Sequence, residues 1–159
     1  VTDSQNYRIL LWDSFPTSNQ QPASRSLAVN WPWGVWTDGT KLAASQTLGG
    51  NVHLWNAWPQ QTDQAPSVTL HGSAIGMGTP RTIPSNGDSF VVGDENPAPD
   101  NLAGNFFWTS WPTLLDQAPT FFQTDPALSV PWPCCLALPT TWPLSELPLP
   151  CPTLGVLSP

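Results

Sequence analysis

Apolar positions in this chain fall in short runs, each closed by Pro, Gly or an Asx residue, and no window sustains a 3.6-residue period. Short β-prone runs bounded by turn residues predict strands. They lie at Tyr7–Trp12, Ser24–Val29, Gly34–Thr37, Lys41–Ser45, Val52–Trp55, Ser67–Leu70, Arg81–Pro84, Ser89–Gly93, Asn105–Trp108 and Thr120–Gln123. Asp38-Gly39 and Asn86-Gly87 each precede one of these runs. Such dipeptides tolerate positive φ and predict tight hairpin turns. The expected fold is all-β and antiparallel.

The runs repeat. Leu11-Trp12-Asp13-Ser14-Phe15-Pro16 aligns with Leu54-Trp55-Asn56-Ala57-Trp58-Pro59 and with Phe107-Trp108-Thr109-Ser110-Trp111-Pro112. Gln21, Gln64 and Gln117 fall in register behind them. A second signature, Thr37-Asp38-Gly39-Thr40-Lys41-Leu42-Ala43-Ala44, matches Ser85-Asn86-Gly87-Asp88-Ser89-Phe90-Val91-Val92. Four short strands per repeat of about 40–50 residues is the period of a propeller blade. About two and a half copies occupy residues 1–125, and the first copy is expected to start at its third strand.

The best-preserved copy, Asn6-Tyr7-Arg8-Ile9-Leu10-Leu11-Trp12-Asp13-Ser14-Phe15-Pro16-Thr17-Ser18-Asn19-Gln20-Gln21-Pro22-Ala23, resembles the blade motif of the NHL-repeat β-propellers, in particular bacterial secreted members. Asn51-Val52-His53-Leu54-Trp55-Asn56 is a looser copy. The resemblance implies four-stranded blades and a binding or scaffolding role, although some relatives of such propellers are lyases. A full propeller of this type needs about six blades. An incomplete one leaves unpaired strand edges and an open apolar face that something must cover.

Composition narrows the function. Only 9% of the 159 residues are charged, but ten Trp and six Phe argue for a folded chain. With Lys+Arg 4 against Asp+Glu 11, the net charge of -7 argues against nucleic acid and anionic membrane surfaces. No apolar run is long enough to span a bilayer. The chain opens at Val1 with no initiator Met or signal-peptide pattern, and is biased toward Trp, Pro, Asn, Gln and Thr. These features point to an extracellular or cell-surface protein.

Catalytic chemistry finds little support. His53 and His71 are the only histidines, and no nucleophile elbow, phosphate loop or dinucleotide fingerprint is present. His53 alternates with Val52 and Leu54, which reads as a packing position. The loop Gly93–Asn101, with Asp94, Glu95 and Asp100, offers hard oxygens but not the alternating spacing of a calcium loop. No catalytic residue, metal site or cofactor is expected. Tryptophan is the abundant recognition group, because an indole buries a large area at low entropy cost. Trp12, Trp55 and Trp108 recur at one strand position and read as core. Trp31, Trp33 and Trp36 are the leading surface candidates, with Trp58 and Trp111 in the Trp-Pro loops behind them.

From Pro126 the material changes: residues 126–159 are rich in Pro, Leu, Trp and Cys, and Glu146 is their one charge. Proline at this density favours extended backbone. Adjacent Cys134 and Cys135 rarely bridge each other; Cys135 with Cys151 is the disulfide candidate. The expectation is a non-enzymatic structural or interaction protein whose partners are copies of itself or another β-repeat chain. The alternative is a carbohydrate- or peptide-binding module cut from a longer propeller.

Overall fold

The computed structural model describes residues 1–98 and 101–124. The tail from 126, the Cys135–Cys151 candidate and Asp100 lie outside them. The chain is all-β, built from three antiparallel sheets. Strands β1 (Thr2–Asp3), β2 (Arg8–Leu11) and β3 (Arg25–Ala28) form sheet 1. Strands β4 (Pro32–Thr37), β5 (Leu42–Gln46), β6 (Asn51–Trp55) and β7 (Val68–Leu70) form sheet 2. Strands β8 (Pro80–Thr82), β9 (Phe90–Asp94), β10 (Gly104–Trp108) and β11 (Phe121–Thr124) form sheet 3. Sequence neighbours pair throughout, so each sheet is a meander.

Three short elements escape the sequence pattern, one of them a 3-10 turn at Ser4–Asn6. Sheet 1 begins one strand earlier than expected, because Thr2 and Asp3 pair with Ile9 and Arg8. It is therefore three-stranded, with its second, third and fourth strands in place. A single helical turn, α1 (Gly72–Ile75), is closed by Gly76 at φ 88°. Among the described residues no helix is long and apolar enough to cross a membrane.

The aligned residues make the same bonds in each unit. The indole Nε1 of Trp12, Trp55 and Trp108 donates to the carbonyl oxygen of Gln21, Gln64 and Gln117 at 3.2, 2.9 and 2.9 Å. The side-chain Oε1 of each Gln accepts the backbone N–H of Thr17, Gln60 and Thr113. The hydroxyls of Ser24, Ser67 and Thr120 accept from Asp13, Asn56 and Thr109 N–H. The loop residues Gln20, Asp63 and Asp116 all sit at positive φ, at 60°, 55° and 51°. At the hairpins, Asp38 and Asn86 Oδ1 each accept two backbone N–H groups, and Gly39 and Gly87 take φ 90° and 95°. The repeat therefore encodes a bonding pattern as well as a spacing.

Alternation along each strand sends apolar side chains to both faces, so the sheets must stack. Ile9, Leu11, Leu27 and Val29 of sheet 1 pack on Leu42, Ala44 and Trp55 of sheet 2. Ala43, Val52, Leu54, Val68 and Leu70 leave the other face of sheet 2 and meet Ile83, Phe90, Val92, Phe106 and Trp108 of sheet 3. The first strands of sheets 2 and 3 approach backbone to backbone: a Cβ on Gly34 would lie 2.3 Å from the Arg81 carbonyl oxygen.

Trp55 is 1% exposed. Trp55→Phe removes its bond to Gln64 and leaves a small void, and should cost about 2 kcal/mol. Trp12, half-buried on the outer face of sheet 1, should lose under ~1 kcal/mol in Trp12→Phe. Urea midpoints at unchanged m-value report both.

Candidate functional site: the sheet junctions and their two ends

The tryptophans of the Trp-Pro loops cross from one sheet to the preceding one. Trp58 Nε1 donates to Asp13 Oδ1 at 2.9 Å, and Trp111 Nε1 donates to Asn56 Oδ1 at 2.9 Å. Asp13 and Asn56 are aligned, each one residue past the repeat Trp, Trp12 and Trp55. The Trp58 indole holds the Asp13 carboxyl below its ordinary range, and the Arg25 guanidinium adds to this. A second pair of crossings caps the outer strands. Asp63 Oδ1 accepts Ala28 N–H at 2.8 Å, and Asp116 Oδ1 accepts His71 N–H at 2.7 Å. The Asp63 and Asp116 amides return bonds to Ser26 and Thr69 carbonyls. Each junction thus holds one Trp–Asx bond, one two-way bond to an outer strand, and a packed apolar layer.

Magnitudes separate their roles. Burying one Leu, Ile or Phe side chain contributes about 1.5–3 kcal/mol, while a hydrogen bond nets about 0.5–1.5 kcal/mol. The layer supplies the attraction; the bonds set which register of loop on strand is allowed.

At both ends of the described residues half of a junction is seen. In sheet 1, Phe15 stands where Trp58 and Trp111 stand, and is 91% exposed. Gln20 stands where Asp63 and Asp116 stand and is exposed. Beside them a cavity of about 540 Å³ opens between Trp12, Phe15, Val35, Trp36, Leu42 and Trp58. In sheet 3, Thr109 holds the Asx position, exposed and bonded to Thr120. All four residues of β11 are exposed, and no described strand pairs with its outer edge. Phe121, 42% exposed, stacks on Phe107 at 4.6 Å between ring centroids.

The tryptophan candidates from the sequence do not gather on one surface. Trp31 lies against Tyr7 at 6.0 Å. Trp33, 41% exposed, carries the Arg81 guanidinium over its ring at 4.5 Å. Trp36 packs on Trp111 at 5.4 Å, within the layer between sheets 2 and 3. Trp111 is 7% exposed, and Trp58 is half-buried against the first layer. The acceptors Asp13, Asn56, Asp63 and Asp116 were not singled out from the sequence, although all four lie in the aligned repeats next to residues that were.

The polar groups read for chemistry are engaged in the framework. His53 lies between Gln46 Oε1 at 2.9 Å and Thr69 Oγ1 at 3.1 Å. Burial, with the charge of His71 second, lowers its pKa from 6.5 to about 4. His71 Nδ1 meets Asp116 at 2.8 Å. Asp94 is buried and accepts backbone N–H groups from Gly78, Thr79 and Asn96, and burial raises its pKa despite those bonds. Glu95 turns instead to Arg81 at 2.8 Å. Among the described residues no group of three or more His, Cys, Asp or Glu side chains gathers as a metal site would require.

No protein-family model, curated protein or solved structure matches the chain.

Two measurements test these assignments. A double-mutant cycle on Asp13→Ala and Trp58→Phe should give a measurable coupling; a cycle on Asp13 and Trp111, which belong to different junctions, should be additive within error. For His53 the unfolded chain binds its proton first. Stability should therefore fall as pH drops from about 6.5 to about 4, then stop falling on this account. His53→Gln should flatten that segment of the stability–pH curve.

Proposed function

We propose that the protein is a non-catalytic interaction protein of extracellular type. Its sheets act as blades of a partial β-propeller, and neighbouring chains complete its two ends. One observation supports this reading: the same junction occurs twice among the described residues, and complementary halves of it stand at opposite ends of them. Phe15 and Gln20 are the loop half. Thr109, Phe121 and the outer edge of β11 are the strand half. Joining them head to tail makes a heterologous contact, which closes as a ring or runs on as a filament. In the internal register, Phe15 of one copy would sit by Thr109 of the next. Gln20 would reach the backbone of Phe122 and Thr124. The NHL-type motif at residues 6–23 is consistent with blades.

The second reading is glycan or peptide recognition, for which the exposed face of Trp33 is the one specific observation. Arg81 covers part of that ring.

Mass photometry and negative-stain imaging of the 159-residue chain decide between them. Assembly predicts rings or filaments that Phe121→Arg disperses and Leu48→Arg, exposed in a turn away from the end faces, does not. Monodisperse particles of 17.2 kDa would remove the assembly reading. A glycan array in which binding depends on Trp33 would then favour the second.

A further inference from the structure

At the strand ends away from the Trp-Pro loops, the two junctions are closed differently. Residues Gly72–Thr79 carry the chain from sheet 2 to sheet 3, whereas Val29, Asn30 and Trp31 alone carry it from sheet 1 to sheet 2. One framework bond fixes the alignment: Thr47 N–H donates to the Trp31 carbonyl at 3.2 Å, and Glu95 N–H to the Thr79 carbonyl at 3.3 Å. At the second junction the longer connection folds over Gly50, which is buried at φ 70°; a Cβ there would lie 2.8 Å from the Met77 carbonyl oxygen. At the first junction Tyr7 holds the Gly50 position at φ 54°, and the shorter connection leaves its ring 50% exposed. Trp31, at φ 51° in the place of Thr79, lies partly exposed against it. The two ring centroids are 6.0 Å apart and the planes are inclined at 53°.

Two observations set this pair apart from packing aromatics. Positive φ is costly for a bulky side chain and free for glycine. The other described non-glycine residues there are the polar Gln20, Asp63, Asn101 and Asp116, so the two aromatics held in that strained region are the two that touch. Strain of this kind collects at ligand sites. The second observation is polar. The indoles of Trp12, Trp55, Trp58, Trp108 and Trp111 all donate within the framework. Among the described residues, Trp31 Nε1 and Tyr7 Oη make no such bond. The charges nearest in sequence, Asp3 and Arg8, pair with each other at 2.9 Å, and the residues flanking the pair include the exposed neutral amides Asn6 and Asn30.

We infer that Tyr7 and Trp31 form a cleft for a neutral hexopyranose unit of a glycan. The C–H face of the sugar lies against the inclined rings, and its hydroxyls meet Trp31 Nε1 and Tyr7 Oη. Tyr and Trp suit such a ligand because each joins an apolar face to a polar tip. A net charge of -7 disfavours an anionic glycan. The cleft lies within one junction, and its form is independent of what precedes sheet 1. The aligned Gly50 and Thr79 do have a sheet before them, yet their bonds and closest atoms come from Met77, Gly78, Asp94, Glu95 and Asn96. The site requires neither self-assembly nor Trp33.

The full chain is tested on an array of neutral glucose, mannose and N-acetylglucosamine oligosaccharides, with sialylated oligosaccharides beside them. Binding to at least one neutral series, and weaker binding to the sialylated ones, is expected. In titrations with the best neutral oligosaccharide, Trp31→Ala should weaken binding about 10-fold or more, and Trp33→Ala less than about 2-fold. Tyr7→Gly separates a ligand site from a packing role. Glycine relieves the positive φ, so the thermal midpoint should hold or rise while binding falls as in Trp31→Ala. A Tyr7→Gly chain that binds like the parent, or that loses binding only together with stability, would overturn the cleft. So would absence of binding to every neutral series, a preference for sialylated glycans, or binding of proline-rich peptides in place of every glycan. Loss of binding in Trp33→Ala with none in Trp31→Ala would remove this cleft and keep glycan recognition at Trp33. Mass photometry on the same samples scores assembly separately: glycan bound to dispersed monomers keeps the cleft and removes assembly.

Discussion

Each sheet in this chain carries apolar side chains on both faces, and that constraint governs everything else. A two-faced sheet cannot be satisfied alone; it needs a neighbour on each side. Sheet 2 has both neighbours, and its buried residues Leu42, Ala43, Ala44, Val52, Leu54 and Trp55 divide between two layers. Among the described residues, sheets 1 and 3 have one neighbour each. The half-buried Trp12 and the exposed Phe15 and Phe121 follow from this.

The hydrogen bonds across the junctions answer a different need. An apolar layer is tolerant of sliding, and a stack held by packing alone would not choose one register. The Trp–Asx bonds and the Asp63 and Asp116 caps do choose. They also satisfy outward-pointing backbone groups of β3 and β7, edge positions that would otherwise template further strand pairing. The only outer strand without such a cap among the described residues is β11.

Much of the architecture was legible because the period is short and the punctuation strong. The strands predicted around Trp12, Trp55 and Trp108 are present with small shifts at their ends, and the Asx-Gly turns take the positive φ that their residues favour. Thr2–Asp3 and Gly72–Ile75 were illegible because each spans about one period of its own pattern, too little for a periodicity to show. The site was less legible than the fold. Trp31, Trp33 and Trp36 are close in sequence, but a positive φ at Trp31 and a register shift between Pro32 and Val35 direct them to Tyr7, Arg81 and Trp111. The recurrence of Trp58 and Trp111 was visible, but not their direction, since spacing along one chain does not say which neighbouring sheet a side chain reaches. Asp13 and Asn56 could have been found as the polar residues that recur one place after the core Trp.

The central claim is that the end of sheet 3 is half of a junction whose other half stands on sheet 1 of another copy. Amide hydrogen exchange at Thr124 is the most direct measurement of it. In the repeat register Thr124 aligns with Ala28 and His71, whose N–H groups are capped by Asp63 and Asp116. Ala28 and His71 should be protected at every protein concentration. Thr124 should exchange freely in dilute protein and gain protection as particles assemble. A Thr124 amide that exchanges equally fast in dispersed and in assembled protein would contradict the claim.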